Sequence, residues 1–114
     1  MEGIDRTRRV AEAIAHELPA ALREVNDPRV TGMITVHTVV VSRDLGVAKV
    51  RFGVVGEADA AAVAIGLRHA AGFLRRRLAS VLRLRRMPEL RFELETPPVV
   101  EDLLRRIAVE GRAS

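Results

Sequence analysis

The chain has 114 residues, 48% of them hydrophobic, which is enough to build one packed core although 30% of the residues are charged. It has no cysteine, so disulfides, thiolate metal sites and cysteine nucleophiles are excluded. A reducing compartment suits such a chain, and no apolar run approaches the roughly 20 residues that a membrane span needs. We therefore expect one cytoplasmic domain covering residues 1–114.

The cations indicate the class of partner. Lysine and arginine total 19 against 15 acidic residues, a net charge of +4, and Lys49 is the only lysine. Arginine pairs bidentately with phosphate and stacks on bases, although an arginine preference can also follow from coding composition. Between Arg68 and Arg91 the only acidic residue is Glu89. This uneven distribution favours a polyanion such as RNA.

The first predicted element is a helix from about Asp5 to Val25. Its apolar residues recur at three- and four-residue steps and so share one face: Val10, Ile14, Leu18, Ala21, Leu22 and Val25. Pro19 lies inside this pattern and removes an amide donor, which predicts a kink or a split helix. Asn26-Asp27-Pro28 ends the helix.

A β-hairpin follows, with strands at Thr31–Val41 and Val47–Val55 around the polar connection Ser42–Gly46. In its second strand, apolar residues alternate with Lys49, Arg51 and Gly53, which predicts one apolar face and one cationic face.

The Ala-rich segment from Ala60 to Arg83 is long enough for two helices, and we expect a kink at Ala70-Ala71-Gly72 because glycine weakens a helix. Its second half is expected to bury the apolar residues Phe73, Leu74, Leu78, Val81 and Leu82. A third strand is predicted at Leu90–Leu94. After Thr96-Pro97-Pro98, Val100, Leu103, Leu104 and Ile107 suggest a short terminal helix, with Glu101 and Asp102 at its positive end.

The sequence contains no pattern that indicates an enzyme or a cofactor site. His16, His37 and His69 are scattered without metal-ligand spacing. Ser42 has no predicted base with an orienting third group, and no phosphate-binding glycine loop occurs. We therefore expect no catalytic residue, no metal, no cofactor and no small-molecule substrate.

The predicted order αββααβ with a basic flank is typical of a type II KH domain, an α+β fold with a three-stranded sheet that grips single-stranded nucleic acid near a G-x-x-G turn. Here Ala70-Ala71-Gly72 stands in place of that turn, as a helix-kink-helix. At this point the chain resembles the ribosome-binding factor A family. The same order of motifs supports the resemblance: Arg8-Arg9-Val10, Asp27-Pro28-Arg29-Val30, Val41-Ser42-Arg43-Asp44-Leu45, Ala48-Lys49-Val50 and Pro88-Glu89-Leu90-Arg91-Phe92.

The resemblance implies a monomeric, KH-like ribosome biogenesis factor that binds the immature 30S subunit and its 16S rRNA precursor, promotes rRNA maturation and matters most in the cold. Pro19 and the direct passage from Glu95 into Thr96-Pro97-Pro98 depart from the family pattern. Pro19 affects the entry angle of the first helix, and the second departure affects the packing of the terminal helix.

The predicted RNA contacts are cations near the first helix, on the hairpin and after the kink: Arg8, Arg9, Arg29, Arg43, Lys49, Arg51, Arg75, Arg76, Arg77, Arg83, Arg85 and Arg86. The kink residues Ala70, Ala71 and Gly72 are expected to shape that surface. With phenylalanine as the only aromatic type, recognition of backbone and shape is favoured over base reading. The alternative is a protein-interaction module that adds a strand at the hairpin edge; a small hydrolase or nuclease is a third and weaker hypothesis.

Overall fold

The computed structural model describes residues 2–95 and 105–108, with side chains from residue 5 onward. The element order is α1 (Glu2–Leu22), β1 (Met33–Val41), β2 (Val47–Val55), α2 (Ala60–Leu82) and β3 (Glu89–Leu94). Residues 105–108 are also helical. The predicted α+β class, three-stranded sheet and short terminal helix are confirmed, whereas Val100, Glu101, Asp102, Leu103 and Leu104 lie outside the described residues.

The sheet has the order β1-β2-β3. β1 and β2 form the predicted antiparallel hairpin, with Met33 opposite Val55 and Val41 opposite Ala48. β3 instead runs parallel to β2, from Val47 opposite Glu89 to Phe52 opposite Leu94. The sheet is therefore mixed, and the chain must cross it through α2 before the third strand can pair.

Both helices cover the same face of the sheet, α1 chiefly over β1 and α2 chiefly over β3. Alternation along β2 buries Ala48, Val50 and Phe52 beneath them. Phe52 meets Phe92 of β3 edge to face, with ring centroids 6.2 Å apart. The opposite face, which we call the outer sheet face, carries Lys49 and Arg51 as the alternation predicts.

α1 continues through Pro19 to Leu22 instead of splitting there. Pro19 is exposed in the last turns, where the loss of one helical hydrogen bond is not accompanied by a clash in the core. The residues on either side of it remain anchored, because Leu18, Ala21 and Leu22 are buried. Of the two predicted outcomes, the split helix is therefore wrong, and a kink at Pro19 stays a prediction.

α2 is one uninterrupted helix where two were predicted, so the observed order is αββαβ. Asp59 caps its start by accepting hydrogen bonds from the backbone N–H groups of Ala61 and Ala62. Gly72 lies within the helix without a left-handed φ. A destabilisation of about 1 kcal/mol from one glycine is too small to end a helix that its neighbours anchor in the core.

The core-facing stripe of α2 is narrower than predicted. Leu74 and Leu78 are buried as expected, and Leu82 is partly buried. Phe73 and Val81, which were also expected to face the core, are 38% and 43% exposed. Successive helical residues are about 100° apart, so side chains next to a buried position turn toward solvent.

The glycine that packing requires in α2 is Gly66, six residues before the position singled out in the sequence. A Cβ built on Gly66 would lie 2.7 Å from Val30 Cγ2 and 3.2 Å from Arg29 Cβ. On Gly72 it would meet only Arg76 Nη1, at an ordinary 3.5 Å. The close approach of α2 to the loop after α1 therefore depends on Gly66.

We expect Gly66→Ala to lower the free energy of unfolding by about 1–3 kcal/mol, because the methyl group must displace Val30. Gly72→Ala, the matched control in the same helix, should raise it by about 0.5–1 kcal/mol through better helix propensity. Urea denaturation followed by circular dichroism measures both values. Equal effects of the two substitutions would contradict this packing argument.

Candidate nucleic-acid interface

The three consecutive arginines of α2 contact different parts of the molecule. Arg75 donates from Nε and Nη2 to the carbonyl oxygen of Met87, at 3.1 and 2.8 Å. Arg77 forms a two-point contact with Glu24, at 2.7 and 3.2 Å, and this carboxylate raises the pKa of Arg77. Arg76 is exposed and makes no such contact with the described side chains. All three arginines are exposed, as predicted contacts should be, but Arg75 and Arg77 are engaged within the protein. Their contact with RNA stays a prediction.

Arg29 is also engaged within the protein. Its Nε and Nη2 donate to the two carboxylate oxygens of Asp27 at 3.0 and 2.7 Å, and its backbone N–H donates to the same group at 2.9 Å. These hydrogen bonds lower the pKa of Asp27 from 3.8 to about 2. The Asp27-Pro28-Arg29 motif therefore closes the turn that leads from α1 toward β1.

The outer sheet face presents cations in register. Lys49 and Arg91 are partners across β2 and β3, as are Arg51 and Glu93. Arg51 Nε lies 3.7 Å from Glu93 Oε2, and Arg91 Nη2 lies 3.7 Å from Glu89 Oε2. Such long, exposed contacts contribute little to stability and leave the guanidinium groups able to bind other anions.

His37 connects the two edges of that face, a role that its isolated position in the sequence did not indicate. It sits where a β-bulge shifts the register between Val36 and Thr38. Its Nδ1 is 3.2 Å from Glu95 Oε2, and its Nε2 is 3.0 Å from Thr35 Oγ1. The imidazole lies so close over Gly53 that a Cβ there would be 2.9 Å from it.

The order of hydroxyl, imidazole and carboxylate around His37 resembles that of a hydrolytic triad, but its hydrogen bonding differs. The Thr35 hydroxyl also lies 3.3 Å from the carbonyl oxygen of Gly53, an acceptor that competes with the imidazole for its single proton. A nucleophile needs that proton directed at its base. The contact between His37 and Glu95 instead links β1 to the end of β3, on the other side of β2.

Several of the predicted contact residues have no side-chain hydrogen bond or ion pair among the described side chains: Arg9, Arg43, Lys49, Arg76, Arg83 and Arg85. Among the described residues, Arg86 interacts with Asp44 through a long-range attraction and has no direct ion pair. Arg8 has two loose contacts, with Asp5 at 3.9 Å and Glu12 at 3.8 Å.

Four arginines from two distant segments surround one recess of about 230 Å³, which we call the basic recess. Arg6 and Arg9 come from α1, and Arg85 and Arg86 come from the loop between α2 and β3. Apolar side chains complete the lining: Val10, Leu45 and Leu84. Arg6 was not among the predicted RNA contacts, although its three-residue spacing from Arg9 places both on one helical face.

A second recess, of about 280 Å³, lies beside the middle of α2. Ala70, His69 and Phe73 line it from the helix, opposite Glu24 and Asp27 of the loop after α1. Ala70 and Ala71 pack partly against the core, whereas Gly72 is exposed. Because its opposite wall carries two carboxylates, this recess is a less favourable polyanion site than the basic recess.

Within the described part of the chain, no group of three or more potential metal-ligating side chains converges. In the same part, no helix combines the length and apolar character of a membrane span.

We expect Arg75→Ala to lower the free energy of unfolding by about 1–2 kcal/mol, because the Met87 carbonyl loses charge-assisted hydrogen bonds. Arg76→Ala removes the same charge from the neighbouring position and should change it by no more than about 0.5 kcal/mol. Chemical denaturation of both variants tests the distinction. A larger loss from Arg76→Ala would show that the assignment of structural and free arginines is wrong.

Stability should also depend on pH through Asp27. Since its pKa of about 2 in the folded protein lies below the ordinary 3.8, the unfolded chain binds the proton first as the pH falls. The stabilisation from Asp27 is complete above about pH 4 and is lost as the pH falls from about 4 to about 2. Urea denaturation across this range should show a shallower loss of stability in Asp27→Asn than in the wild type; parallel curves would contradict the prediction.

Comparison with known proteins identifies the family to which this fold and sequence are similar. The family model described as ribosome-binding factor A matches residues 6–103. The ribosome-binding factor A of Chromohalobacter salexigens is 46% identical over 99 residues, which cover 83% of this chain and 75% of that protein.

Solved structures show the same fold. The crystal structure of ribosome-binding factor A from Thermus thermophilus superposes with a TM-score of 0.67 at 26% identity, covering 77% of this chain and 94% of that one. A Thermus thermophilus ribosome-binding factor A homology model, fitted into a cryo-electron microscopy map of a complex with the 30S subunit, gives a TM-score of 0.57 at 30% identity, covering 77% and 89%. Matched over most of its length, the chain belongs to the ribosome-binding factor A family.

Proposed function

We propose that this protein binds the immature small ribosomal subunit, contacts the precursor of its 16S rRNA and promotes late assembly without breaking a bond itself. The observation that carries this proposal is family membership, since a relative at 30% identity has been placed in a map of its 30S complex. The fold and the cationic surface support it, because phosphate neutralisation supplies much of the affinity for RNA.

The mechanism is preferential binding to one RNA conformation. A protein shifts a conformational equilibrium only by the difference between its affinities for the two states. Cold stabilises misfolded RNA helices, so a factor that favours the correct conformer matters most at low temperature.

The free cations are the foremost contact candidates. They lie at the basic recess, on the hairpin loop, on the outer sheet face and at the C-terminal end of α2: Arg9, Arg43, Lys49, Arg76, Arg83, Arg85 and Arg86. Arg8 and Arg51 join them, because their ion pairs are long and exposed. Arg29, Arg75 and Arg77 would first have to give up contacts within the protein. Ala70, Ala71 and Gly72 act through the helix that carries these side chains.

Strand addition by a partner protein is the second candidate. β1 is an edge strand, and Met33 and Val40 are 67% and 59% exposed on it. The bulge between Val36 and Thr38 interrupts the edge, however, and bulges are a usual device against unwanted pairing. RNA binding is therefore the better supported interpretation.

Cosedimentation with purified small subunits tests the proposal. We expect association with immature subunits to exceed that with mature ones and to fall steeply with salt, by a log-log slope of about 0.7 per single-strand phosphate neutralised. Binding through strand addition would be far less sensitive to salt. No preference for immature subunits, or affinity that is independent of salt, would refute the proposal.

A charge series sharpens the test. Replacing Arg9, Arg85 and Arg86 together by alanine should weaken association and reduce the slope by about 0.7 per lost contact, without unfolding a domain in which these side chains have no ion pair among the described residues. The matched control replaces the same three residues by lysine, which keeps the charge and loses the guanidinium fork. It should retain most of the salt dependence.

A further inference from the structure

We propose that the basic recess is a binding site for a single unstacked RNA nucleotide, whose base lies on the apolar floor while its flanking phosphates contact the surrounding arginines. This inference rests on the proposed function and adds a ligand chemistry to one place on the surface. It also adds contact with a base to the recognition of backbone and shape that the sequence favours.

The apolar side chains at the bottom of the basic recess, its floor, distinguish it from a site that binds phosphate alone. Val10, Leu45 and Leu84 are partly buried, pack against the core and leave apolar surface open to the recess. A phosphate gains nothing from such a surface, whereas a nucleobase has two apolar faces. The volume of about 230 Å³ lies below the roughly 300–1,000 Å³ typical of sites for drug-sized ligands, which suits one flat ring system.

The charges around the floor favour an anion at its rim. The recess has a guanidinium group from each of Arg6, Arg9, Arg85 and Arg86. No ion pair joins any of the four to another described side chain. Guanidinium planes stack on unstacked bases and their forks pair with phosphate, so arginine can make both contacts without an aromatic platform.

Asp44 is the acidic residue whose charge acts on Arg86, and it is already committed to the hairpin loop. It accepts a hydrogen bond of 2.7 Å from the Ser42 hydroxyl and one of 2.9 Å from the backbone N–H of Gly46. These bonds, in that order, lower the pKa of Asp44, and the attraction to Arg86 is a smaller cause. Asp44 therefore attracts Arg86 without neutralising it through a direct ion pair.

The hairpin loop that supplies Leu45 is held in place by hydrogen bonds. Ser42 Oγ accepts from the backbone N–H of Val47 at 3.0 Å, and the N–H of Glu89 reaches back to the carbonyl oxygen of Gly46 at 2.9 Å. The recess therefore exists before a ligand arrives, which lowers the ordering cost of binding.

The loop that supplies Leu84, Arg85 and Arg86 is fixed at both ends. At one end the N–H of Arg83 bonds to Ala79 as the cap of α2. At the other end Arg75 holds the Met87 carbonyl, and Pro88 is fully buried.

The backbone provides an independent observation. Among the described residues, only Leu45 and Arg83 combine a side chain with a positive φ, of 60° and 52°. Each lies in one of the two loops that form the recess. Such conformations cost free energy and tend to persist at ligand sites, where the surrounding structure holds them.

Methyl nuclear magnetic resonance of the full chain tests the site directly. The probes are single-stranded tetra-adenylate RNA and the same backbone with abasic riboses. We expect the base-containing RNA to shift the methyl signals of Val10, Leu45 and Leu84 upfield through ring currents. The abasic RNA should perturb the amides of Arg85 and Arg86 but leave those methyl signals in place.

Affinity measurements with the two probes give the second readout. The wild type should prefer the base-containing RNA on the order of tenfold, as expected for one stacked base. Leu84→Asn should abolish this preference while keeping the salt dependence. Ile65→Asn, a matched change at a 45% exposed apolar residue of α2 outside the recess, should leave the preference intact.

The outcomes separate this inference from the proposed function. Equal affinities for the two probes, or methyl shifts elsewhere in the protein, would overturn the nucleotide site. The proposed function would still stand if the same protein sedimented with immature subunits. If Leu84→Asn does not fold, the wild-type comparison of the two probes decides alone. Methyl shifts without any subunit association would support the site and count against the proposed function.

Discussion

The close approach of α2 to the loop after α1 is the contact on which the arrangement of this protein depends. Gly66 allows the helix backbone to lie against Val30, and the same helix buries Leu67, Leu74 and Leu78. The C-terminal end of the same helix then delivers the following loop to the N-terminal half of α1. The candidate RNA-contact surface is thus positioned by a contact that carries no charge, and a side chain as small as alanine at residue 66 would disturb it.

Patterns that depend on local chemistry could be predicted from the sequence. Alternation predicted the hairpin and the faces of β2, because the pleat of a strand is set by near neighbours. The number of helices was wrong, since Pro19 and Gly72 were given more weight than the anchoring of their neighbours in the core. Local breaking tendencies are weak compared with the burial of several leucines.

For the candidate site, the sequence predicted the excess of arginine but not which arginines are free to bind a ligand. The excess of arginine after residue 67 indicated a polyanion partner, but nothing local distinguishes Arg76, which is free, from Arg75 and Arg77, which hold Met87 and Glu24. Those partners are 12 and 53 residues away along the chain. The inclusion of Arg6 and the apolar floor of the recess likewise depends on tertiary contacts. Charge predicts the kind of ligand, whereas the fold decides which charges remain available for it.

The parallel pairing of β3 with β2 has a consequence for how the protein is made. Synthesis from the N-terminus yields α1 and the hairpin first, while the strand that completes the sheet emerges only after α2. Pairing segments so distant in sequence carries a loop-closure cost, which makes this a late step in folding. Because the basic recess needs the segment just before β3, a nascent or truncated chain would lack it. Only a chain synthesised and folded through β3 would therefore carry the complete basic recess.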